Sequence, residues 1–364
     1  MGYEIDFLPV GEESSGGDAI ALRYGNLYGQ RSDQTVVVID GGYTANGDTL
    51  VDHIRRHYGT DRVDLVVSTH TDQDHITGLE VVLEKMQVGR LLMHLPWNHS
   101  GELTNARRTA FKSAALSEKL QKSYQAASDL QTIAERRGVP IVEPFQGIAT
   151  SDGAFRVLGP SLDYYRQLLK EMEPSSAASQ GRSALQELVR KMAAAAAKLV
   201  PESLTLETLR DDGETSATNN SSVISLLTVD GHQLLFTGDA GIPALELAVA
   251  VLEAEGFQPG GLRFVQVPHH GSRRNVGPSV LNRLLGPKGQ TTRHSTAVAS
   301  VPKKNPEHKH PAKKVTNSFH RRGYDVHLTQ GATCWYHHDA PARDNYSTAV
   351  PVPFHQTVEE DGDA

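Results

Sequence analysis

Apolar positions in the first hundred residues fall into short runs separated by glycine-rich or polar turns. "YEIDFLPV" and "DAIALRYG" predict two strands around the turn "GEESSGG", and "QTVVVIDGG" predicts a buried strand ending in a turn. "TLVDHIRRHYG" has helical spacing and a closing glycine, and "RVDLVVSTH" is a further buried strand. Strand, helix, strand implies layered α/β packing.

From about residue 101 the pattern becomes helical. "TNARRTAFKSAALSEKLQKSYQAASDLQTIAERRG", "LDYYRQLLKEM" and the alanine-rich "SALQELVRKMAAAAAKLV" predict helices, the last two joined by a flexible "EPSSAASQGRS". A β-like stretch, "VPIVEPF" and "AFRVLGP", interrupts them. Residues 101–215 therefore read as a largely helical insertion, whose β-like stretch could belong to the scaffold. The alternative is that these helices are themselves scaffold layers. Strand texture returns at "SSVISLLTVDGHQLLFTGDA", where Asp230-Gly231 suits a tight hairpin, and continues through "GLRFVQVPHHGS", "STAVASV" and "GYDVHLTQGATCWYHH". The expected division is a domain over 1–338 containing the insertion, and a tail over 339–364 whose acidic end is disordered.

Composition narrows the chemistry. The single cysteine, Cys334, excludes an internal disulfide and any cysteine-rich zinc module, so a metal would be held by nitrogen and oxygen. No run approaches the roughly 18 apolar residues of a membrane span, and the start lacks a signal-peptide pattern. A soluble cytoplasmic protein is the expectation. The formal net charge of -7 argues against indiscriminate nucleic-acid binding.

The densest chemistry is "HTDQDH". His70, Asp72, Asp74 and His75 follow a predicted buried strand and are expected in a loop at its C-terminal end, where α/β folds place their sites. Burying two carboxylates with two imidazoles is costly unless a cation joins them. Other strand ends offer Asp239 in "LLFTGDA", His269 and His270 in "VPHHGS", and His308 and His310 in "EHKHP". Of the adjacent pair, at most one is expected as a direct ligand, with the other orienting it or touching substrate.

Taken in order, "VVVIDGG", "STHTDQDHITGL", "NNSSVISL", "LLFTGDA", "VPHHGS" and His310-Pro311 resemble the metallo-β-lactamase superfamily. The nearer resemblance is to the hydrolase domain of ComEC-type competence proteins and their free-standing relatives, which share an aspartate at the position of Asp72. It covers residues 1 to about 100 and about 216 to 335, and the opening "DFLPVGEESSGGDAIAL" resembles that family's first hairpin with extra residues. The resemblance implies a four-layer αββα sandwich with a largely helical insertion. His70 and Asp72 would serve one metal, Asp74 and His75 a second, and Asp239 would bridge them. His270 or His269, with His310, would complete the shell. The middle histidine of most of the superfamily is missing, and the histidines in that interval, His94 and His99, read as structural. The first metal is therefore expected to be weakly held or to arrive with substrate.

Three carboxylates make such a site hard. One or two divalent ions are expected, zinc or manganese, with magnesium as the third option. Together they would activate a water and neutralise charge on the attacked group. Asp74, His269 and His270 are the expected catalytic residues, a protonated histidine of the pair stabilising the departing alkoxide. Asn220, Ser272, Arg273 and Arg274 are the expected substrate contacts. Residues 301–322 hold seven Lys or Arg against one acid, Glu307. They are either a cationic rim for phosphates or the solvated face of a basic helix. Phosphodiester hydrolysis, of nucleic acid or a cyclic nucleotide, is the expected activity. Hydrolysis of another ester, thioester or lactone is the alternative, and a non-catalytic regulatory module the third. Oligomeric state is not legible.

Overall fold

The computed structural model describes residues 1–12, 16–99, 124–172, 199–290, 294–304 and 310–359. Thirteen strands form two sheets. In chain order they are β1 (Gly2–Phe7), β2 (Ala19–Gly25), β3 (Gln34–Gly41), β4 (Leu65–Val67), β5 (Leu91–Leu92), β6 (Ile141–Val142) and β7 (Phe155–Gly159). They continue as β8 (Ile224–Val229), β9 (His232–Phe236), β10 (Leu262–Gln266), β11 (Ser295–Ala299), β12 (Tyr324–Leu328) and β13 (Cys334–His338). Sheet one runs β13-β1-β2-β3-β4-β5-β6 and sheet two runs β12-β11-β10-β9-β8-β7. Helices α1 (Thr44–His53), α2 (Gln73–Lys85), α3 (Gln125–Arg136), α4 (Leu162–Glu171), α5 (Ile242–Ala254), α6 (Pro278–Leu285) and α7 (Lys313–Arg321) cover the outer faces.

The alternation of side chains along each strand builds the layers. In β3, Val37 and Ile39 join Phe7, Leu22, Leu227, Phe236 and Phe264 in a core between the sheets. Val36 and Val38 face the other way and pack with Leu50, Ile76, Leu79, Val82 and Leu130 beneath α1, α2 and α3. Sheet two repeats the arrangement, with Leu226 and Leu235 packed under Leu245, Val249, Leu281 and Val315. The expected αββα sandwich is the result. Gly78 lets α2 cross the end of β3, since a Cβ there would lie 1.9 Å from the Gly41 carbonyl oxygen.

The β-like stretch in the middle supplies a scaffold strand to each sheet, β6 at the edge of sheet one and β7 at the edge of sheet two. Helix α3 buries Ala127, Leu130 and Ala134 in the core under sheet one, as a layer helix does. The helical expectations over 101–123 and 173–198 lie outside the described residues, as does the acidic end after 359. Leu199–Pro201, the end of the alanine-rich pattern, is not helical. It pairs as a strand with Thr357–Glu359, where Val358 is fully buried. Strand pairing won there because the tail offers a free edge and a valine to bury. Asp230 and Gly231 both take positive φ (53° and 75°) in the β8–β9 hairpin, as that dipeptide requires.

Parallel pairing of β3, β4 and β5 in one sheet, and of β9 to β12 in the other, aligns their C-terminal ends. The segments that leave those ends carry most of the candidate site.

Candidate metal centre

Two rows of residues meet at these strand ends. Sheet one contributes His70 from the turn after β4, and Asp74 and His75 from the first turn of α2. This corrects the expected loop: the strand–helix turn closes at Asp72, and only His70 and Asp72 precede the helix. Sheet two contributes Asp239, after β9, and His269 and His270, after β10. Both histidines hold left-handed backbone (φ 47° and 56°), a conformation costly for a residue with a Cβ and found most often at functional sites.

Asp239 is the hub. Its Oδ1 lies 3.6 Å from His75 Nε2, and its Oδ2 lies 3.9 Å from His70 Nε2 and 3.5 Å from His269 Nε2. His70 Nε2 is also 3.6 Å from Asp72 Oδ2, and His75 Nε2 is 3.9 Å from Asp74 Oδ2. The His75 and His270 rings are 5.6 Å apart, and His310 stacks on His269 at 5.9 Å. Ligands bound at 2.0–2.2 Å around a tetrahedral ion stand about 3.3–3.6 Å apart. The observed separations are close to that and too long for hydrogen bonds. His70 Nε2, His75 Nε2, both ring nitrogens of His270 and Asp239 Oδ1 are buried without a hydrogen-bond partner. Atoms that would otherwise be stranded share one focus, so the residues fit a cation.

The hydrogen bonds behind the rings assign their tautomers. Asp40, fully buried, accepts from the Thr69 N–H at 2.8 Å and from Thr69 Oγ1 at 2.6 Å. Since the Thr69 hydroxyl gives its proton to Asp40, its oxygen accepts from His70 Nδ1 at 3.0 Å. His75 Nδ1 donates to Asp40 Oδ2 at 2.8 Å. Both rings are thus held from behind by Nδ1 and turn Nε2 toward Asp239, the arrangement of metal-binding histidines. His269 is the reverse. Asn219 Nδ2 donates to its Nδ1 at 3.0 Å, which leaves the proton on Nε2. With its side chain 28% exposed, His269 is also the histidine that a substrate can reach, whereas His270 is buried.

Among the described residues, three overlapping groups have ligand atoms within 4.8 Å of one another: Asp40, His70 and His75; Asp74, His75 and His270; Asp18, His75 and Asp239. Asp40 belongs behind the rings, on the Nδ1 side. Burial opposes charge on Asp239, yet the imidazoles of His269, His75, His270 and His70 hold its carboxyl far below the usual range. Burial lowers His75 too, but Asp239 and Asp40 outweigh it and raise it well above an ordinary imidazole. Burial takes His270 down to about 3.

The other expected residues are placed less centrally. Asp72 has a half-exposed side chain, and His310 lies beside His269; His308 is outside the described residues. Asn220 is buried with an unpartnered Oδ1 and forms the end of a short helical turn, Ala217–Asn220. Ser272 is buried and accepts from the Arg274 N–H at 3.3 Å; Arg273 is half-buried and Arg274 exposed. His94 stacks on Tyr165 at 4.2 Å, burial lowering it to about 3, and His99 Nε2 lies 3.0 Å from Glu143. Neither joins a ligand group among the described residues.

The basic run of 301–322 is neither rim nor solvated face in its second half. Arg321 and Arg322 are fully buried; they bond to Glu202 at 3.0 Å and Glu207 at 2.7 Å, and Lys314 is buried as well. Helix α7 takes these cations inside because 202–207 brings two acids to meet them. Sequence reasoning missed Asp40, Thr69, Asn219, Asp18 and Gln266. The aspartate closing "VVVIDGG" and the Gly-Asp before β2 were the available signals.

The model of the metallo-beta-lactamase superfamily matches residues 22–158. No curated protein matches the chain. Solved structures that resemble it include a Thermotoga maritima protein provisionally named a metallo-beta-lactamase (11% identity, 66% of this chain and 79% of that one, TM-score 0.33). They also include the hydrolase AbOPH of the beta-lactamase superfamily (12%, 61% and 56%, TM-score 0.28). A third is a diphosphatase of the PhnP family (12%, 93% and 98%, TM-score 0.38). These likenesses are too loose to carry residue roles. The αββα architecture is consistent with the metallo-beta-lactamase sandwich fold, and the family model matches the chain over residues 22–158.

Proposed function

We propose that this protein is a cytoplasmic metal-dependent hydrolase of phosphodiesters, a phosphodiesterase or nuclease. The observation that carries this reading is the convergence of buried, unpartnered His70 Nε2, His75 Nε2 and Asp239 Oδ1 on one focus. His70, His75, Asp239, Asp74 and His270 would hold one or two ions, with Asp72 and His310 at the margin. Bound divalent ions supply an acidified water and neutralise charge on the attacked phosphoryl group.

The chain's own residues do the rest. Asp40 fixes His75 directly and His70 through Thr69, which keeps both Nε2 atoms inward. His269, holding its Nε2 proton through Asn219 and open to substrate, would hydrogen-bond the departing alkoxide and stabilise its charge. Asp74 and Asp239, with Asp72 at the margin, make the set harder than one of imidazoles alone and favour manganese or magnesium. Arg273 and Arg274, at the surface just beyond the histidine pair, would meet phosphates of a longer substrate.

The test is a metal-dependence screen on the chelated protein with bis-p-nitrophenyl phosphate, single-stranded DNA, RNA and cyclic nucleotides. Cleavage restored better by manganese than by zinc, and lost in Asp74→Ala, is the expected result. Esterase or lactonase activity without diester cleavage would overturn the phosphodiester reading.

A further inference from the structure

The ligands come from two sheets that touch through an apolar core. Apolar packing is non-directional, whereas a metal site needs its ligands placed to within about 0.2 Å. Something directional must therefore join the two halves. The turn before β2 and the end of β10 meet the need. Asp18, buried to 1% exposure, has its Oδ2 2.8 Å from Gln266 Nε2, which donates to it across 248 residues of sequence. Gln266 Oε1 accepts from the N–H groups of Thr237 at 2.9 Å and Gly238 at 3.2 Å, the two residues leading into Asp239. The amide is thus oriented at both ends.

Sheet one is gripped from the same turn. The Asp18 carbonyl accepts from the Gly42 N–H at 2.7 Å, just after β3. Asp18 Oδ2 lies 3.8 Å from His75 Nδ1, the ring's rear nitrogen, so this carboxylate stands behind His75. Gly17 lies so close to α2 that a Cβ would fall 2.0 Å from the Asp74 carbonyl oxygen. One turn therefore touches the segments carrying Asp74 and His75, and reaches Asp239 through a single amide.

We propose that Asp18 and Gln266 form a positioning pair that sets the distance between the two halves of the metal centre. It rests on the reading of that cluster as a metal site, and only on that part of the proposed function. Losing a partner behind the ligands weakens metal binding by about 10- to 100-fold. Because the pair acts as one unit, removing both members should cost no more than removing one.

The experiment is calorimetric titration of the chelated full chain with manganese chloride, for wild type, Asp18→Ala, Gln266→Leu, the double variant and Asp18→Asn. Expected are Kd values raised about tenfold or more by either single change, and no further by the double. Asp18→Asn, which keeps an acceptor for the amide, should stay within about threefold of wild type. Single variants that bind like wild type, or losses that multiply in the double, would overturn the pairing. So would an Asp18→Asn as weak as Asp18→Ala, which would assign the effect to charge alone. If Gln266→Leu does not fold, the contrast of Asp18→Ala with Asp18→Asn decides. A wild type that binds no manganese removes the metal site and the pair together, whereas bound manganese without diester cleavage removes only the proposed reaction.

Discussion

Two buried polar clusters sit on this sandwich, and they differ in one respect. On the outer face of β1, Glu4 and Asp6 are fully buried yet every carboxylate oxygen takes a donor. Arg343 reaches both acids, with its Nη1 2.7 Å from Asp6 Oδ1, while Arg23 pairs with Glu4 and the Tyr58 hydroxyl donates to Asp6 at 2.7 Å. At the strand ends, the Nε2 atoms of His70, His75 and His270 and Asp239 Oδ1 have no hydrogen-bond partner. Both clusters are polar, charged and largely buried. Satisfaction of the carboxylates separates them: in the first, protein donors meet every acid oxygen and stitch the tail to sheet one, and the second is complete only with a cation.

Removing the hub should break the contrast most sharply. Asp239→Ala is expected to lose diester hydrolysis by more than about 100-fold, beyond the range for residues behind the ligands, while remaining folded. Retained turnover, measured with saturating manganese, would mean that the second cluster is only structural. At the first cluster the expected effect is on stability. Arg343→Met removes the cation that two buried acids share and should cost about 3–5 kcal/mol in urea unfolding, with manganese affinity unchanged. A neutral result would mean the tail is not held there.

The first cluster also has a pH signature. Burial pushes the Asp6 carboxyl up, but His53, 3.1 Å away, and Arg343 outweigh it and bring it down to about 2. A depressed acid stabilises the folded state fully above its ordinary value of 3.8. That contribution is lost as pH falls toward about 2, and Asp6→Asn should remove this part of the acid unfolding curve. The smallest effect is expected at the surface. Reversing the charges of Arg273 and Arg274 should raise KM for a polynucleotide severalfold and leave a small chromogenic diester unchanged; equal changes on both would remove these arginines from substrate binding.

Much of this was readable in the chain. The apolar runs "QTVVVIDGG" and "RVDLVVSTH" and the helical spacing of "TLVDHIRRHYG" give the layers, because each depends on neighbours one to four residues away. The spacing of "HTDQDH" and the strand-end positions of Asp239 and His270 marked the residues that converge. The errors were equally local in cause. The basic run looked exposed because its acids, Glu202 and Glu207, lie more than a hundred residues earlier. Asp40 and Asp18 drew no functional reading because their partners are side chains elsewhere.

The sequence by itself determined which side chains could bind a cation and which strands would bury valine on both faces, since residue type and period suffice for that. The tertiary structure decided which nitrogen of each imidazole faces the focus, which histidine keeps its proton outward, and that Asp18 meets Gln266. Hydrogen bonds are directional and short-ranged, and here they join atoms that only the packing of two sheets brings within 3 Å of each other.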